Sequence, residues 1–299
     1  MAPIAIITVT FSPGKHLWDF VNSVPAATTQ GAHVVMVDNG STDGAPEAVA
    51  AAEHSMPVEL VNSGGNIGYG AAMNLGARHL RELREAGEID DEFFVISNPD
   101  VVFGPGCVDA MVEVAGRNPR AGAVGPVIKE ADGSAYPSAR EIPGLLSGIG
   151  HALLGPIWPG NPWTVRYMNQ SDMRRERLAG WLSGSCLLLR WDAFASVDGF
   201  DERYFMYMED VDLGDRLAKA GWTNVFTPSA EIAHAQGHSA SKHPEISLNA
   251  HHQSAYRFQA DRLRGPLYAP VRWVLKAGLT VRCTVAIWWA KRELARESA

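Results

Sequence analysis

Short runs of β-branched and apolar residues alternate with segments of helical spacing along the first half of the chain. The strand-like runs are 4–9, 34–37, 58–61, 92–97 and 123–128, and helices are predicted near 17–24, from the Gly-rich segment 66–74 to about Arg84, and near 106–115. Runs that are apolar at every position are typical of strands covered on both faces by helices. The pattern predicts an α/β fold with a doubly wound, mostly parallel sheet.

Polar turn residues follow three of these strands, at 10–12, 38–43 and 98–100. Ligands of open α/β sheets bind beyond the carboxyl ends of the strands. We therefore expect the three turns to meet at one edge of the sheet and to form the ligand site. Segment 130–180, rich in Pro, Gly and Trp, is predicted to form loops over that site.

The second half of the chain continues the pattern less regularly. A strand is predicted at 187–189, a helix at 210–219, strand-like segments near 223–227 and 230–234, and mostly helix from about 245. With 299 residues, the chain has room for one large domain or for a domain with an extension.

Charge is distributed unevenly. The net charge is −7, yet 257–296 holds nine Lys or Arg against two acidic residues, a balance of +7 that leaves −14 on the remainder. An acidic body argues against nucleic-acid binding, and a basic arm suggests contact with an anionic membrane surface. Val271, Val274, Leu275, Gly278, Val285 and Trp289 fall near one helical face of this arm. Packing on the body or on a second subunit, as a homo-oligomer, is the alternative.

Cysteine usage and apolar run length bear on the compartment. Cys107, Cys186 and Cys283 are far apart and odd in number, which favours a reducing environment over a disulfide framework. The N-terminus enters a strand directly, without the pattern of a signal peptide. The longest strongly apolar run, 283–290, is well short of the ~20 residues that span a bilayer. We expect a cytoplasmic protein, peripheral on the inner face of the membrane.

Asp100 is the first candidate for chemistry. It follows a buried strand in Asn98-Pro99-Asp100, where Pro99 stiffens the turn. A carboxylate at a strand end can coordinate Mg²⁺ or Mn²⁺ together with substrate phosphates. A turn-forming or helix-capping role is the alternative for any such aspartate.

A second candidate is the acidic cluster Glu209, Asp210, Asp212 and Asp215, which follows an apolar and aromatic segment. Acidic residues favour the start of a helix, which is one explanation. Crowding and partial desolvation would instead raise the pKa of one carboxyl group toward that of a general base.

Three weaker candidates have structural alternatives. His234 ends a strand-like segment and is either a metal ligand or a packed histidine. Asp38 can accept a hydrogen bond from a base or can form an Asx turn. The Gly-rich segment 66–70 can offer backbone amides to a diphosphate at a helix start, although it matches neither the P-loop nor the dinucleotide-binding pattern.

Six segments occur together in the order seen in family 2 glycosyltransferases, and the chain resembles that family over about residues 4–240. The segments are 8–12, 37–44, 66–74, 98–101, 200–202 and 204–213. Asn-Pro-Asp-Val at 98–101 and Phe-Met-Tyr-Met-Glu-Asp at 205–210 look like the rhamnosyltransferase branch. Segments 136–140, 154–163 and 180–186 are similar to a subgroup that moves L-rhamnose from dTDP-L-rhamnose to a polyprenyl-diphosphate-linked N-acetylglucosamine for a cell-wall linker.

The resemblance implies a GT-A fold at 1–240 and inversion at the anomeric carbon, and the mostly helical remainder is assigned to an extension at 241–299. The resemblance also implies Asp210 as the base and Asp100 as a metal ligand for Mg²⁺ or Mn²⁺. The family's metal motif is reduced here to Asn-Pro-Asp, with one carboxylate, so we expect His234 as a second ligand. The resemblance further implies two sets of binding residues. The donor set is Thr10, Phe11, Ser12, Asp38, Asn66, Gly68, Asn98 and Asp100, and the acceptor set is Trp181, Ser183, Gly184 and Glu209.

Other functions remain open at this point. A family 2 transferase with a different sugar or acceptor would carry the same motifs. A nucleotide-sugar binding protein without turnover would not need both Asp100 and Asp210. A nucleotidyltransferase also places acids at strand ends, but its glycine-rich, basic N-terminal loop is not seen at 10–16.

Overall fold

The computed structural model describes residues 1–130, 132–144, 158, 160–161, 173–234 and 244–297. The predicted domain boundary at 240 and most of segment 154–163 lie outside these residues. Within the described part, the elements of the first half are β1 Ile4–Thr10, α1 His16–Ala27, β2 Ala32–Asp38, α2 Ala45–Ala50, β3 Val58–Asn62, α3 Tyr69–His79, α4 Arg81–Glu85, β4 Phe93–Ser97, β5 Val101–Phe103, α5 Cys107–Arg117 and β6 Ala121–Lys129.

The second half begins with short strands and ends in helices. Its elements are β7 Ala135–Tyr136, β8 Ala139–Arg140, β9 Arg177–Ala179, β10 Trp181–Leu182, β11 Cys186–Arg190, α6 Trp191–Ser196, α7 Glu209–Lys219, β12 Thr223–His234, α8 Pro244–Ala260, a 3₁₀ turn at Pro266–Tyr268 and α9 Ala269–Glu297.

The strands form one large mixed sheet with the order β3-β2-β1-β4-β11-β6-β12-β5 along its main path. Pairs β1–β2, β1–β4, β2–β3 and β6–β12 are parallel, whereas β11 is antiparallel to both β4 and β6. The predicted parallel sheet flanked by helices is therefore confirmed, with one reversed strand at its centre.

Alternate residues of the strands pack on opposite faces of the sheet. In β1, Ile4 and Ile6 join a core with α1, α2 and α5, while Ala5 and Ile7 join a second core with α3, α6 and α7. Both cores are almost fully buried, which explains why these strands read as continuous apolar runs. The sheet is thus the middle of three layers.

Two local features differ from the sequence-based expectation. Residues 223–234 form one strand, where two strand-like segments were expected. A bulge between Phe226 and Glu231 shifts the register and accommodates the residues between the two segments. The three-residue strand β5 directly after Asp100 was not predicted. It pairs antiparallel with the end of β12 and brings Val101 opposite His234.

The C-terminal helices pack on the body and on each other. Phe258 of α8 is fully buried against Tyr204, Trp181 and Val211, and α9 packs along α8. No helix in the described part of the chain combines the length and apolarity needed to cross a bilayer.

Candidate active site

Strand direction brings the polar turns of the sequence to one edge of the sheet. Thr10 and Asp38 are register partners at the ends of β1 and β2, and Ser97 ends β4 beside them. Strand β11 runs the opposite way, so its first residues lie at the same edge, where the Asn98 N–H donates to the Ser185 carbonyl at 2.9 Å. The predicted meeting of turns is confirmed.

Asp38 organises the first of these turns. Its carboxylate accepts hydrogen bonds from Thr10 Oγ1 at 2.8 Å, from the Gly40 and Ser41 amides at 3.1–3.2 Å and from the Ser41 hydroxyl. The side chain is buried. Asp38 therefore forms the Asx-type turn named as its alternative role, and its contact with the base of the donor stays a prediction.

The 10–14 and 38–43 loops are joined by further hydrogen bonds. Ser12 N–H donates to Ser41 Oγ at 2.8 Å, and the Thr42 N–H donates to Ser12 Oγ at 3.0 Å. Ser12 has φ 51°, a left-handed conformation that these two bonds stabilise. Phe11 follows the buried Thr10, and its ring is exposed at the sheet edge. There the ring can stack on a flat ligand.

The segment at 66–70 has a different role from the one expected. The Gly68 N–H donates to Asn66 Oδ1 at 3.2 Å, and the Tyr69 N–H donates to the Phe205 carbonyl at 3.0 Å. These amides at the start of α3 are therefore used internally and are not presented to a diphosphate. Gly68 has φ 91°, and a Cβ there would lie 2.6 Å from the Phe205 oxygen. The segment holds the 203–208 loop against α3.

Asp100 and His234 meet at this edge from two different strands. His234 Nε2 is 3.0 Å from Asp100 Oδ1, and Asn98 Nδ2 is 3.3 Å from the same nitrogen. Burial acts to raise the pKa of Asp100, but the hydrogen bond with His234 and the positive charges of His234 and His16 outweigh it, so the pKa is lowered. His16 was not singled out from the sequence.

The Asp100–His234 pair fits a divalent cation. Two neighbouring ligands of a six-coordinate ion with bonds of about 2.1 Å are about 3 Å apart, which is the separation found here. No third His, Cys, Asp or Glu completes a ligand group in the described part of the chain. An ion held here would take its other ligands from substrate phosphates and water.

The Glu209–Asp210 pair begins α7. The preceding Tyr207 and Met208 both have φ 68°, a costly conformation for residues other than glycine, so the carboxylates are held by a strained turn. Asp210 Oδ2 accepts a hydrogen bond from the Gly184 amide at 3.0 Å, and Asp210 Oδ1 accepts one from the Val211 amide at 2.8 Å.

The carboxyl groups of Glu209 and Asp210 differ in their hydrogen-bond partners. Glu209 is 8% exposed, and its Oε2 has no hydrogen-bond partner among the described residues. Burial, followed by the charge of Asp210, raises the pKa of Glu209 to about 8. Burial also raises the pKa of Asp210, but the amides of Gly184 and Val211 and the charge of Arg140 act against it. The amide hydrogen bonds therefore favour the negative charge on Asp210, whereas burial without such partners favours the proton on Glu209.

Two positioning residues were missed by sequence reasoning. Tyr69 donates its hydroxyl hydrogen to the Gly184 carbonyl at 2.7 Å, which helps to hold the residue whose N–H bonds to Asp210. Arg140 lies over the ring of Trp181 at 5.8 Å and contributes positive charge near Asp210. Tyr69 and Arg140 lie within the motif segments 66–74 and 136–140. Only the fold shows that both residues lie near Asp210.

The acceptor residues expected from the sequence divide into two groups. Ser183 and Gly184 lie beside Asp210 at the start of β11. Trp181 is 7% exposed and donates its indole N–H to the Glu141 carbonyl at 3.1 Å. It packs closely against α7, since a Cβ on Gly214 would lie 2.8 Å from it. Trp181 therefore supports the helix that carries Asp210 and offers no open ring face.

Comparisons with known proteins agree with this geometry. The family model described as "Glycosyl transferase family 2" matches residues 5–177. The chain is 51% identical over 282 residues to the N-acetylglucosaminyl-diphospho-decaprenol L-rhamnosyltransferase of Mycobacterium tuberculosis, covering 93% of this chain and 91% of that protein.

Two solved structures share the fold. The mannosyltransferase PcManGT from Pyrobaculum calidifontis, in complex with GDP-Man and Mn²⁺, superposes with a TM-score of 0.59 at 17% identity, covering 100% of this chain and 76% of that one. GalNAc-T7 with UDP, GalNAc and Mn²⁺ superposes with a TM-score of 0.57 at 12% identity, covering 79% of this chain and 44% of that one. The GT-A fold is thereby confirmed.

Proposed function

The chain belongs to glycosyl transferase family 2, and from this premise we propose that it transfers L-rhamnose from dTDP-L-rhamnose to N-acetylglucosamine carried on a polyprenyl diphosphate. The near-full-length similarity to the mycobacterial rhamnosyltransferase carries this proposal. The reaction belongs to the assembly of a cell-wall linker, and the product is a lipid-linked disaccharide.

Asp210 acts as the general base. It takes the proton of the acceptor hydroxyl as that oxygen bonds to the anomeric carbon of the donor sugar. The bond between the anomeric carbon and the diphosphate oxygen breaks at the same time, and dTDP leaves with the electron pair. Attack from the face opposite the nucleotide inverts the configuration at that carbon. General-base catalysis of this kind supplies roughly 10²–10⁴-fold in rate.

Glu209 supports the base by staying neutral. Its unpartnered Oε2 lies in a buried position, where a second negative charge beside Asp210 would be unfavourable. A protonated carboxyl group is a hydrogen-bond donor, so Glu209 can bind an oxygen of the acceptor sugar.

Asp100 and His234 would hold a divalent cation, Mg²⁺ or Mn²⁺, beside the donor diphosphate, where such an ion would supply positive charge to the leaving group. Asn98 lies beside His234 and helps to orient it. The nucleoside lies against the joined loops at 10–12 and 38–43, where the exposed ring of Phe11 stacks on the base.

The acceptor is bound to lipid, and α9 supplies a surface that suits a membrane. Trp273, Val274, Val281, Val285 and Trp288 point away from α8 and are exposed, Trp273 to 76%. No acidic residue occurs between Asp261 and Glu293, whereas five basic residues lie on α9 up to Arg292. An apolar stripe with tryptophans and flanking cations is typical of a helix that lies in the membrane interface.

Most of the face predicted from the sequence is exposed. Val271, Val274, Val285 and Trp289 are exposed, whereas Leu275 is half-buried. Trp273, Val281 and Trp288 extend this exposed apolar surface, so the proposed membrane surface includes both sets of residues.

A transfer assay tests the function. Purified protein is given radiolabelled dTDP-L-rhamnose, UDP-glucose or GDP-mannose with polyprenyl-diphospho-N-acetylglucosamine in detergent, with and without Mn²⁺. We expect organic-extractable label from dTDP-L-rhamnose alone. Equal transfer from another donor would reject the sugar assignment, and no transfer from any donor would reject the acceptor.

A further inference from the structure

A cleft of about 340 Å³ opens between α8 and the loop that leads into α7. The loop contributes Arg203 and Phe205 to its lining, and α8 contributes Ile246, Asn249, Gln253 and Arg257. Ala250 and Ser254 complete the α8 contribution, and the spacing of these α8 residues places them on one face of the helix. None of the lining residues belongs to the residues assigned to the donor or to the metal.

The cationic groups of the cleft differ in their partners. Arg203 is held by Asp201 at 2.5 Å and by Asp261 at 2.8 Å, which fix its position. The Arg257 side chain is half-buried, and its guanidinium group makes no hydrogen bond or ion pair with any residue that the structure describes. A guanidinium group in a partly closed cleft beside two side-chain amides is suited to the oxygens of a phosphate.

The cleft lies between the candidate base and the exposed helix α9. Its loop continues from Phe205 to Glu209 and Asp210, and Ser254 Oγ of α8 donates to the Met206 carbonyl of that loop at 2.9 Å. Asn249, which lines the cleft, also contacts α9, because Cys283 Sγ lies 3.3 Å from Asn249 Oδ1. A molecule that extends from the α9 surface toward Asp210 therefore passes α8.

We propose that this cleft binds the diphosphate of the lipid-linked acceptor, with Arg257 as the main cation. The proposal rests on the proposed function, because that function requires an acceptor whose sugar reaches Asp210 while its lipid stays in the membrane. The enzyme then has two diphosphate sites, one for the donor at Asp100 and His234 and one for the acceptor at Arg257. Ile246 and Phe205 supply apolar contacts for the first part of the lipid.

Binding of farnesyl diphosphate tests the proposal without turnover. The affinity is measured by calorimetry with the donor site saturated by dTDP and Mn²⁺, for the wild type, Arg257→Gln, Arg257→Lys and the control Arg81→Gln on exposed helix α4. Loss of a charge-assisted hydrogen bond predicts a Kd about tenfold or more higher for Arg257→Gln, an intermediate value for Arg257→Lys and no change for Arg81→Gln.

Two outcomes would overturn the assignment. Equal affinities of the wild type and Arg257→Gln would exclude the cleft as the diphosphate site. Inorganic pyrophosphate that binds as tightly as farnesyl diphosphate, with the same dependence on Arg257, would show a site for free diphosphate with no part for the lipid.

Kinetics separate this proposal from the proposed function. If the cleft binds the acceptor, Arg257→Gln raises the KM for the lipid acceptor about tenfold or more and leaves the KM for dTDP-L-rhamnose unchanged. An unchanged acceptor KM in an active enzyme rejects the cleft alone. If the wild type binds farnesyl diphosphate through Arg257 but transfers no sugar, the proposed function is rejected. The assignment of the diphosphate site then still holds.

Discussion

His234 Nε2 lies 3.0 Å from Asp100 Oδ1, although the two residues are 134 positions apart in the chain. The contact exists because β12 runs parallel to β6 and ends beside the short strand β5, which follows Asp100 directly. The proposed metal site thereby combines the single carboxylate of Asn-Pro-Asp with a histidine that is distant in the sequence.

The first prediction concerns this pair. Asp100→Ala and His234→Ala should each weaken dTDP binding in Mn²⁺ by at least about tenfold, because either change removes one of two protein ligands. Calorimetry with Mn²⁺ and with EDTA measures the effect, which should disappear in EDTA. His79→Ala, far from this edge, is the control. Equal losses with and without metal would assign the pair a structural role only.

A second prediction follows from the neutral state of Glu209. The pKa of Glu209 in the folded protein, about 8, lies above its ordinary value of 4.5, so the folded state binds the extra proton between these pH values. The stabilisation is complete below pH 4.5 and is lost as the pH rises through 8. Glu209→Gln removes this dependence.

Urea unfolding at pH 5, 6.5 and 8 measures that effect. The free energy of unfolding of Glu209→Gln, relative to the wild type, should increase steadily with pH. A difference that stays constant across the three pH values would show that Glu209 is ionised throughout.

Gly68 provides the third prediction. Gly68→Ala introduces a Cβ 2.6 Å from the Phe205 oxygen at φ 91°, whereas Gly87→Ala introduces one at φ 71° with no atom within 4 Å. Gly68 has ψ 166°, in a region essentially restricted to glycine, so Gly68→Ala should lose about 1–3 kcal/mol to backbone strain and about 1–3 kcal/mol more to overpacking, whereas Gly87→Ala carries strain alone. Unfolding midpoints of the two variants measure the difference, and equal destabilisation would contradict the close contact.

Much of this arrangement was predictable from the sequence. The strands at 4–9, 34–37, 58–61 and 92–97 were located correctly because they are rich in β-branched and apolar residues and are bounded by turn residues, although the strand at 58–61 is only half-buried. The edge that carries the site followed from strand direction alone. Asp100 and Asp210 were identified by motif order, and the structure brings polar partners to both.

Other features depend on packing that no local pattern contains. The hydrogen bond between Tyr69 and Gly184 joins residues that are 115 positions apart in the chain. Trp181 is buried because α7 and its neighbours pack against it. The amides at 68 and 69 were expected to be available, but the Phe205 loop occupies one of them. Which face of α9 stays exposed depends on which residues pack against α8. The spacing of the apolar residues in α9 alone does not determine that contact.

The fourth prediction concerns α9 and membranes. The double variant Trp273→Ser, Trp288→Ser should bind phosphatidylglycerol vesicles at least about tenfold more weakly than the wild type, because it removes the two largest exposed apolar side chains of the stripe. Co-sedimentation measures the bound fraction. Leu178→Ser, which removes a similarly exposed apolar side chain on β9, is the control and should pellet like the wild type. Equal pelleting of all three proteins would reject the membrane surface.

The most direct test of the account is the turnover of Asp210→Asn beside its affinity for dTDP. Asparagine keeps the size of the side chain and an oxygen to accept the Gly184 hydrogen bond, but it cannot take the acceptor proton. Rhamnosyl transfer to the lipid acceptor should fall by roughly 10²–10⁴-fold, while the Kd for dTDP in Mn²⁺ stays within about threefold of the wild type. Transfer at a near-normal rate, with dTDP binding intact, would contradict the assignment of Asp210 as the base.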